Sequence, residues 1–416
     1  MRINTCEKNR FSSSIAEFIG DNWALIIILL LVLILQTPNL STSCSTVTGT
    51  DHAKGSCIAY SEVVQNSLDH GLLATKFGAV ARVNSKSFLY YIHHPSLLFY
   101  LSLGLGARIF GNNPLVLRLV MMIFFMGSII VLYLLTKEIW GKRTALFASF
   151  FFSLSPLAVL YGLYIDMVGF MFLFFFLLTL FFYIKWTKEP SSKYYWLMVG
   201  VFLIGSQADW PVYSAPFVIF FHHILTAKEK KKEILLFPLW ALLSLALFLS
   251  YVHFLTGTFL GENSYAGGLL ESAAHRMGSN AQDAARGITF TAAAFVNRIY
   301  SYAKKMVTPI LLVLSSIWLI YFLRKFYKKE YNSKELFLFL LFLQGVIILI
   351  VFKQAAWIHE YSIIHLLPFL AISSAIILSW IISRIPREIS VITAIVIILL
   401  FLLNLFWIYK KFLGLD

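Results

Sequence analysis

A set of polar residues in an otherwise apolar chain is of the types that handle protons and anions: Asp51, His52, Glu62, Asp69, His70, His93, His94, Arg118, Asp166, Asp209, His359, Glu360 and Tyr361. Carboxylates exchange protons with hydroxyl groups; imidazole, guanidinium and phenol groups donate hydrogen bonds to anions. An ionised group deep in hydrocarbon costs roughly 2.5–3.5 kcal/mol. These residues escape most of that cost because they fall near the ends of apolar runs. Such a placement suits a site that meets a lipid headgroup and a polar substrate together.

Each residue also has a plainer role open to it. Asp166 precedes an apolar run and is placed to cap a helix. Arg118 sits a turn inside its run, where it would snorkel to lipid phosphate. His93-His94-Pro95 is compatible with a helix start. Glu62 and Asp69 are seven apart and would share a solvated helix face. Asp209-Trp210-Pro211 reads as a turn with an interfacial Trp. Metal-ligand spacing is weak, because His93-His94 and His222-His223 are adjacent pairs that diverge on a helix. G-x-S-x-G, Walker, C-x-x-C and H-E-x-x-H patterns are absent, which removes local support for hydrolase, ATPase and zinc-protease chemistry.

The elements that must position these residues follow from composition. The chain has 416 residues, 59% of them hydrophobic and 13% charged, so lipid is the expected solvent. The pattern predicts an all-α polytopic membrane protein. Eleven apolar runs stand out, at 17–36, 115–136, 144–162, 167–185, 195–207, 211–225, 234–256, 306–323, 335–352, 363–382 and 388–408. The first follows a basic start without a small-residue cleavage site and reads as a retained signal anchor.

Loop charge sets the orientation. With the N-terminus in the cytoplasm, Lys137, Lys142, Arg143, Lys228, Lys230–Lys232, Arg324, Lys325, Lys328, Lys329, Arg384 and Arg387 all fall inside, while the short outer turns 163–166 and 208–210 hold no Lys or Arg. That asymmetry is the positive-inside pattern, so the net charge of +14 needs no nucleic acid. Two long segments then lie outside. The first, 37–114, ends in the apolar stretch Ser96–Phe110, too short to span and expected to lie on the membrane surface. The second, 257–305, resembles one or two amphipathic surface helices. The chain divides into an N-terminal membrane module (1–256), this external segment and C-terminal transmembrane helices (306–416). A Cys44–Cys57 disulfide is open to the first loop if it lies outside; two free thiols are the other reading.

Residues 93 to about 185 carry an ordered series of short motifs: His94-Pro95-Ser96-Leu97, Phe110-Gly111, Leu117-Arg118-Leu119, a span containing Gly127, Trp140-Gly141-Lys142-Arg143, Ser155-Pro156 and Asp166. Asp209-Trp210-Pro211, Trp357-Ile358-His359-Glu360-Tyr361 and Leu366-Leu367-Pro368-Phe369 follow later. The series resembles the dolichyl-phosphate-mannose–protein mannosyltransferase-like membrane glycosyltransferases, a group that takes in the aminoarabinose transferases of lipid A and has the C-type glycosyltransferase fold. The resemblance implies transfer of a hexose or pentose from a polyprenyl-phosphate donor to a protein, lipid or glycan on the non-cytoplasmic face; no cofactor is expected, and nothing in the sequence calls for a metal. It implies a base in the first external loop, with Asp51 the candidate by position. Asp166 matches a second acidic position, while His93, His94 and Arg118 fall where the family holds the lipid phosphate. Asp209, His359 and Tyr361 would face the same phosphate or the sugar. One departure matters: counting back fifteen from Gly71, where the family has an acid, gives Ser56. Asp51 then serves through a shifted loop, Glu62 substitutes, or the reaction has been lost. A glycan-lipid flippase and a catalytically inactive partner subunit are the competing expectations, and a prokaryotic cell membrane is the expected location.

Overall fold

The computed structural model describes residues 5–44, 51–84, 87–166, 169–227, 231–265, 267–278 and 290–412. Its helices are α1 (Thr5–Leu40), α2 (Asp51–His70), α3 (Leu97–Phe110), α4 (Pro114–Trp140), α5 (Lys142–Ser153), α6 (Pro156–Tyr161), α7 (Phe170–Lys188), α8 (Ser192–Gly205) and α9 (Ala215–Thr226). They continue as α10 (Lys232–Leu235), α11 (Phe237–Thr256), α12 (Gly268–Met277), α13 (Ala292–Met306), α14 (Pro309–Tyr327), α15 (Ser333–Val351), α16 (Lys353–Ile358), α17 (Leu367–Arg384) and α18 (Arg387–Phe412). Strands β1 (Val80–Asn84) and β2 (Ser87–Tyr90) pair antiparallel, with Val80 opposite Tyr90. Among the described residues this hairpin is the one addition to the all-α expectation, and it lies between α2 and α3 of the first loop.

The described residues of the eleven expected apolar runs are mostly helical. Seven stretches among the described residues are long and apolar enough to cross a bilayer as single rods. Of the other runs, 144–162, 195–207 and 211–225 are shorter or broken. The run 144–162 splits into α5 and α6 because Ser155 caps a new helix, accepting from the Ala158 N–H at 3.2 Å, with Pro156 at its first position. The run 211–225 opens as a 3-10 turn over Trp210–Ser214 before α9 begins. Ser96–Phe110 forms α3, of 14 residues, and the 257–305 segment contains the two described helices α12 and α13.

The longest of these seven stretches, α4, has 27 residues, about 40 Å at 1.5 Å per residue. Asn113 caps it by accepting from Val116 N–H at 3.0 Å, and Gly141, at φ +89°, ends it. Packing centres on α4, α5, α7 and α17, with α14 against α17 and α15 against α9. In lipid the association of helices depends on close packing and interhelical hydrogen bonds. Both are present: Ser128 Oγ donates to Phe170 O at 3.1 Å and Ser374 Oγ to Leu311 O at 3.1 Å. Gly205 lies so close to Phe175 that a Cβ there would fall 2.3 Å from it.

Because the rods alternate in direction, the turns 161–166, 205–215 and 351–367 gather at one end with α12 and α13. The basic turns gather at the other end, where Lys185 and Lys188 meet Glu138 at 3.5 and 2.8 Å and Lys325 meets Glu335 at 2.8 Å. The separation of charge that the sequence pattern predicts is therefore a property of the bundle.

Candidate active site

The first of these ends encloses a cavity of about 440 Å³. Six elements build its wall. Tyr60 comes from α2; Tyr91, His93 and His94 come from the link between β2 and α3. Asp166 lies in the turn before α7, Asp209 to Pro211 between α8 and α9, and Glu271, Ser272, His275 and Arg276 on α12. The remaining wall runs from Ile348 on α15 to His365, through His359 and Tyr361. Gly345 lets α15 approach this last turn, since a Cβ there would meet His365 O at 2.7 Å.

Asp166 is buried, and its Oδ2 accepts from Ser56 Oγ at 3.0 Å; the same hydroxyl lies 3.2 Å from Tyr164 OH. It is not a helix cap: α7 is capped at Gly169, without a side-chain bond. Gly71 follows α2 directly at φ +85°, and Ser56, on that helix, faces the cavity's buried carboxylate.

A second set of contacts is a relay. His94 Nδ1 lies 2.6 Å from Asp209 Oδ1, and Arg276 donates to His94 Nε2 at 2.5 Å and to His93 O at 3.1 Å. Burial, then the nearby Arg276 charge, holds the His94 imidazole below its usual value, although Asp209 opposes the shift. A neutral ring fits both partners: Nδ1–H donates to Asp209 and the Nε2 lone pair accepts from the guanidinium. Asp209 Oδ1 also accepts from Trp210 N–H at 2.7 Å, so the residue acts both as turn cap and as site member. Burial, with His94 and Arg276 close by, pushes His93 down to about 3. Its Nδ1 lies 3.2 Å from Ser272 Oγ.

Among the described residues, His93 Nε2, Asp209 Oδ2 and His365 Nδ1 are buried on this wall without a hydrogen-bond partner. Buried polar atoms normally have one, so these three point to a polar ligand. No three His, Cys, Asp or Glu side chains come together as a metal-binding group among the described residues.

Of the sequence candidates, Asp166, His93, His94, Asp209, His359 and Tyr361 converge here. Arg118 does not, and its expected phosphate contact is corrected. Its guanidinium donates to Asn39 O at 2.9 Å, to Leu40 O at 3.1 Å and to Thr42 O, and it reaches Cys57 Sγ at 3.9 Å. The last carbonyls of a helix lack intrahelical partners and carry partial negative charge, which makes the end of α1 a sink for this cation. Glu62 is also corrected: it is exposed on α2, two residues beyond Tyr60 and so on another face from the cavity. Asp51 begins α2, but its side chain and that of His52 lie outside the described residues. Cys44 and Cys57 form a disulfide with Cα atoms 5.4 Å apart.

Sequence reasoning missed Tyr60, Tyr91 and the α12 group. A usable sign was present: Glu271, Ser272, His275 and Arg276 are spaced i, i+1, i+4, i+5, which puts polar groups on one helix face.

The dolichyl-phosphate-mannose-protein mannosyltransferase family matches residues 93–255. No curated protein matches by sequence. Among solved structures, ArnT from Cupriavidus metallidurans bound to undecaprenyl phosphate is similar at TM-score 0.60 and 12% identity, over 88% of this chain and 61% of that one. The apo Archaeoglobus fulgidus oligosaccharyltransferase is similar at TM-score 0.57 and 14% identity, over 95% and 55%. The same archaeal enzyme, AglB, in complex with an inhibitory peptide and a dolichol-phosphate, gives 0.58 and 14%, over 95% and 56%. The chain thus spans little more than half the length of the structures it matches. It is a polytopic, predominantly helical membrane protein with the C-type glycosyltransferase fold, and over residues 93–255 it resembles the mannosyltransferase family.

Proposed function

We propose that this protein is a membrane glycosyltransferase that moves a sugar from a polyprenyl-phosphate donor to an acceptor on the non-cytoplasmic face. The carrying observation is that buried Asp166 and the His94-supported Arg276 line one cavity at the end of the bundle away from the basic turns. The chemistry needs both. As an acceptor hydroxyl bonds to the sugar's anomeric carbon, its proton passes to a carboxylate, the carbon–oxygen bond to phosphate breaks, and polyprenyl phosphate departs with the electron pair. Arg276 and the free Nε2 of His93 would steady the negative charge that develops on the phosphate. Ser56 orients Asp166, and His359 and Tyr361 face the sugar. The apolar wall of Ile348, Leu349, Phe352 and Ala355 gives the first isoprene units a surface.

The polyprenyl phosphates bound in ArnT and AglB support the donor class. The Cys44–Cys57 disulfide supports an oxidising side for the first loop, and the basic turns at the opposite end support a cytoplasmic N-terminus; a prokaryotic cell membrane is the location in this reading. Asp51 remains the base proposed for the acceptor, with Asp166 orienting it or taking over the role. Purified protein given a radiolabelled polyprenyl-phosphate sugar and an acceptor extract should release free polyprenyl phosphate. Asp166→Asn should abolish that release, and a fully active Asp51→Asn would transfer the base role to Asp166. Ser56 favours one other reading, a catalytically inactive partner subunit. Under it a complex containing the Asp166→Asn protein stays active.

A further inference from the structure

A second cavity of about 420 Å³ lies against the first. Ile358, His359 and Tyr361 belong to both walls. Its opposite side is one face of α13: Arg298, Ser301, Tyr302 and Lys305, spaced i, i+3, i+4, i+7 as helix geometry requires. Tyr161 and Glu360 complete it, and they are bonded to each other, Tyr161 OH donating to Glu360 Oε1 at 3.0 Å.

The two cations are presented differently. Arg298 is braced: its guanidinium lies over the Tyr302 ring at 5.0 Å and the Trp357 ring at 5.2 Å, and its Nε donates to Tyr302 OH at 2.7 Å. Tyr302 OH in turn donates to Trp357 O at 3.0 Å. These contacts use Nε and the faces of the guanidinium, leaving its terminal N–H groups without a protein acceptor among the described residues. Lys305, two turns along, likewise has no protein acceptor among the described residues. Two cations whose donors are unspent, on a cavity whose single carboxylate is occupied by a tyrosine, make a receptor for an anion.

We propose that this second cavity is a subsite for a phosphate or carboxylate carried by the acceptor. Resting on the transferase reading above, it places the acceptor's charge beside Arg298 and Lys305 while a neighbouring hydroxyl passes His359 and Tyr361 into the first cavity. A planar guanidinium prepared by stacking holds such a group in a fixed direction, and the lysine adds charge without direction. Phosphate of this kind has two sources, a soluble glycan and a membrane lipid.

Binding tests the idea without requiring turnover. The protein is placed in phosphatidylcholine nanodiscs and probed with radiolabelled inorganic phosphate and, separately, with labelled phosphatidic acid. Arg298→Gln and Lys305→Gln should each weaken binding about tenfold or more, Arg298→Lys should recover part of it, and Lys304→Gln, off the cavity face, should change nothing. Saturable binding of inorganic phosphate identifies a soluble acceptor; binding of phosphatidic acid alone identifies a lipid headgroup. Equal binding by the parent, Arg298→Gln and Lys305→Gln, with unaltered melting, overturns the subsite while leaving the transferase reading intact. Conversely, a protein that binds the probes in this pattern but never releases polyprenyl phosphate keeps the subsite and loses the transferase.

Discussion

Replacing Arg276 is the most informative perturbation of the first cavity. Its guanidinium spends donors on His93 O at 3.1 Å and His94 Nε2 at 2.5 Å, and the rest of the fork is available to a ligand in the cavity. Arg276→Gln removes the positive charge while keeping a donor amide. By analogy with deleting one preorganised donor to a developing oxyanion, the loss is about 3–4 kcal/mol, a factor of about 10²–10³ in turnover. Arg276→Lys keeps the charge but not the planar fork that reaches both histidines, so about 1.5 kcal/mol, or roughly tenfold, should be lost. The assay is release of labelled polyprenyl phosphate from a polyprenyl-phosphate sugar in micelles, with polyprenyl-phosphate affinity measured alongside. Both quantities should fall in the order parent, lysine, glutamine. An Arg276→Gln protein within threefold of the parent in both would refute the assignment of Arg276 to the donor phosphate, whatever its effect on stability.

Other outcomes follow from single contacts. His93, pushed down to about 3 against about 6.5 unfolded, takes up its proton more readily in the unfolded chain between those values. Stability from this residue is therefore complete above about pH 6.5 and lost as pH falls toward 3; melting curves should show that acid limb, and it should flatten in His93→Gln. The Cys44–Cys57 bond closes a loop of sequence separation 13, worth about 3 kcal/mol by loop-closure entropy. Cys57→Ser should melt at lower temperature and, because Cys57 adjoins Ser56 at Asp166, lose activity too; unchanged melting would disprove the link. Gly345→Ala puts a methyl 2.7 Å from His365 O, so about 1–3 kcal/mol of strain should appear as a lower melting temperature. In a Cys6→Ser background, an impermeant maleimide on intact cells should label Tyr300→Cys and spare Tyr327→Cys, and the reverse would invert the orientation.

Pattern alone made the membrane class, the helical runs and the one-sided distribution of Lys and Arg legible, because lipid imposes long apolar stretches and charge sorting that leave a record in linear order. It also made six members of the cavity legible, since ionisable residues at the ends of apolar runs are expensive unless they serve something. Arg118 and Glu62 look the same in linear order as His94 and Asp166. Only the folded chain separates them: Arg118 is captured by the carbonyls closing α1, and Glu62 is carried to an exposed face of α2 by a rotation of two residues.

Arg276 and Arg298 were hidden for a related reason. Each sits on a short amphipathic helix whose local pattern describes a surface, and the partner that turns one face into a cavity wall lies scores to hundreds of residues away. His94 is 182 positions from Arg276 and Trp357 is 55 from Tyr302. Hydropathy and spacing report on neighbours within a few turns, so the solvent of each segment is written in the sequence. Which distant segments share a pocket depends on the packing of the whole bundle, and tertiary structure alone decides it.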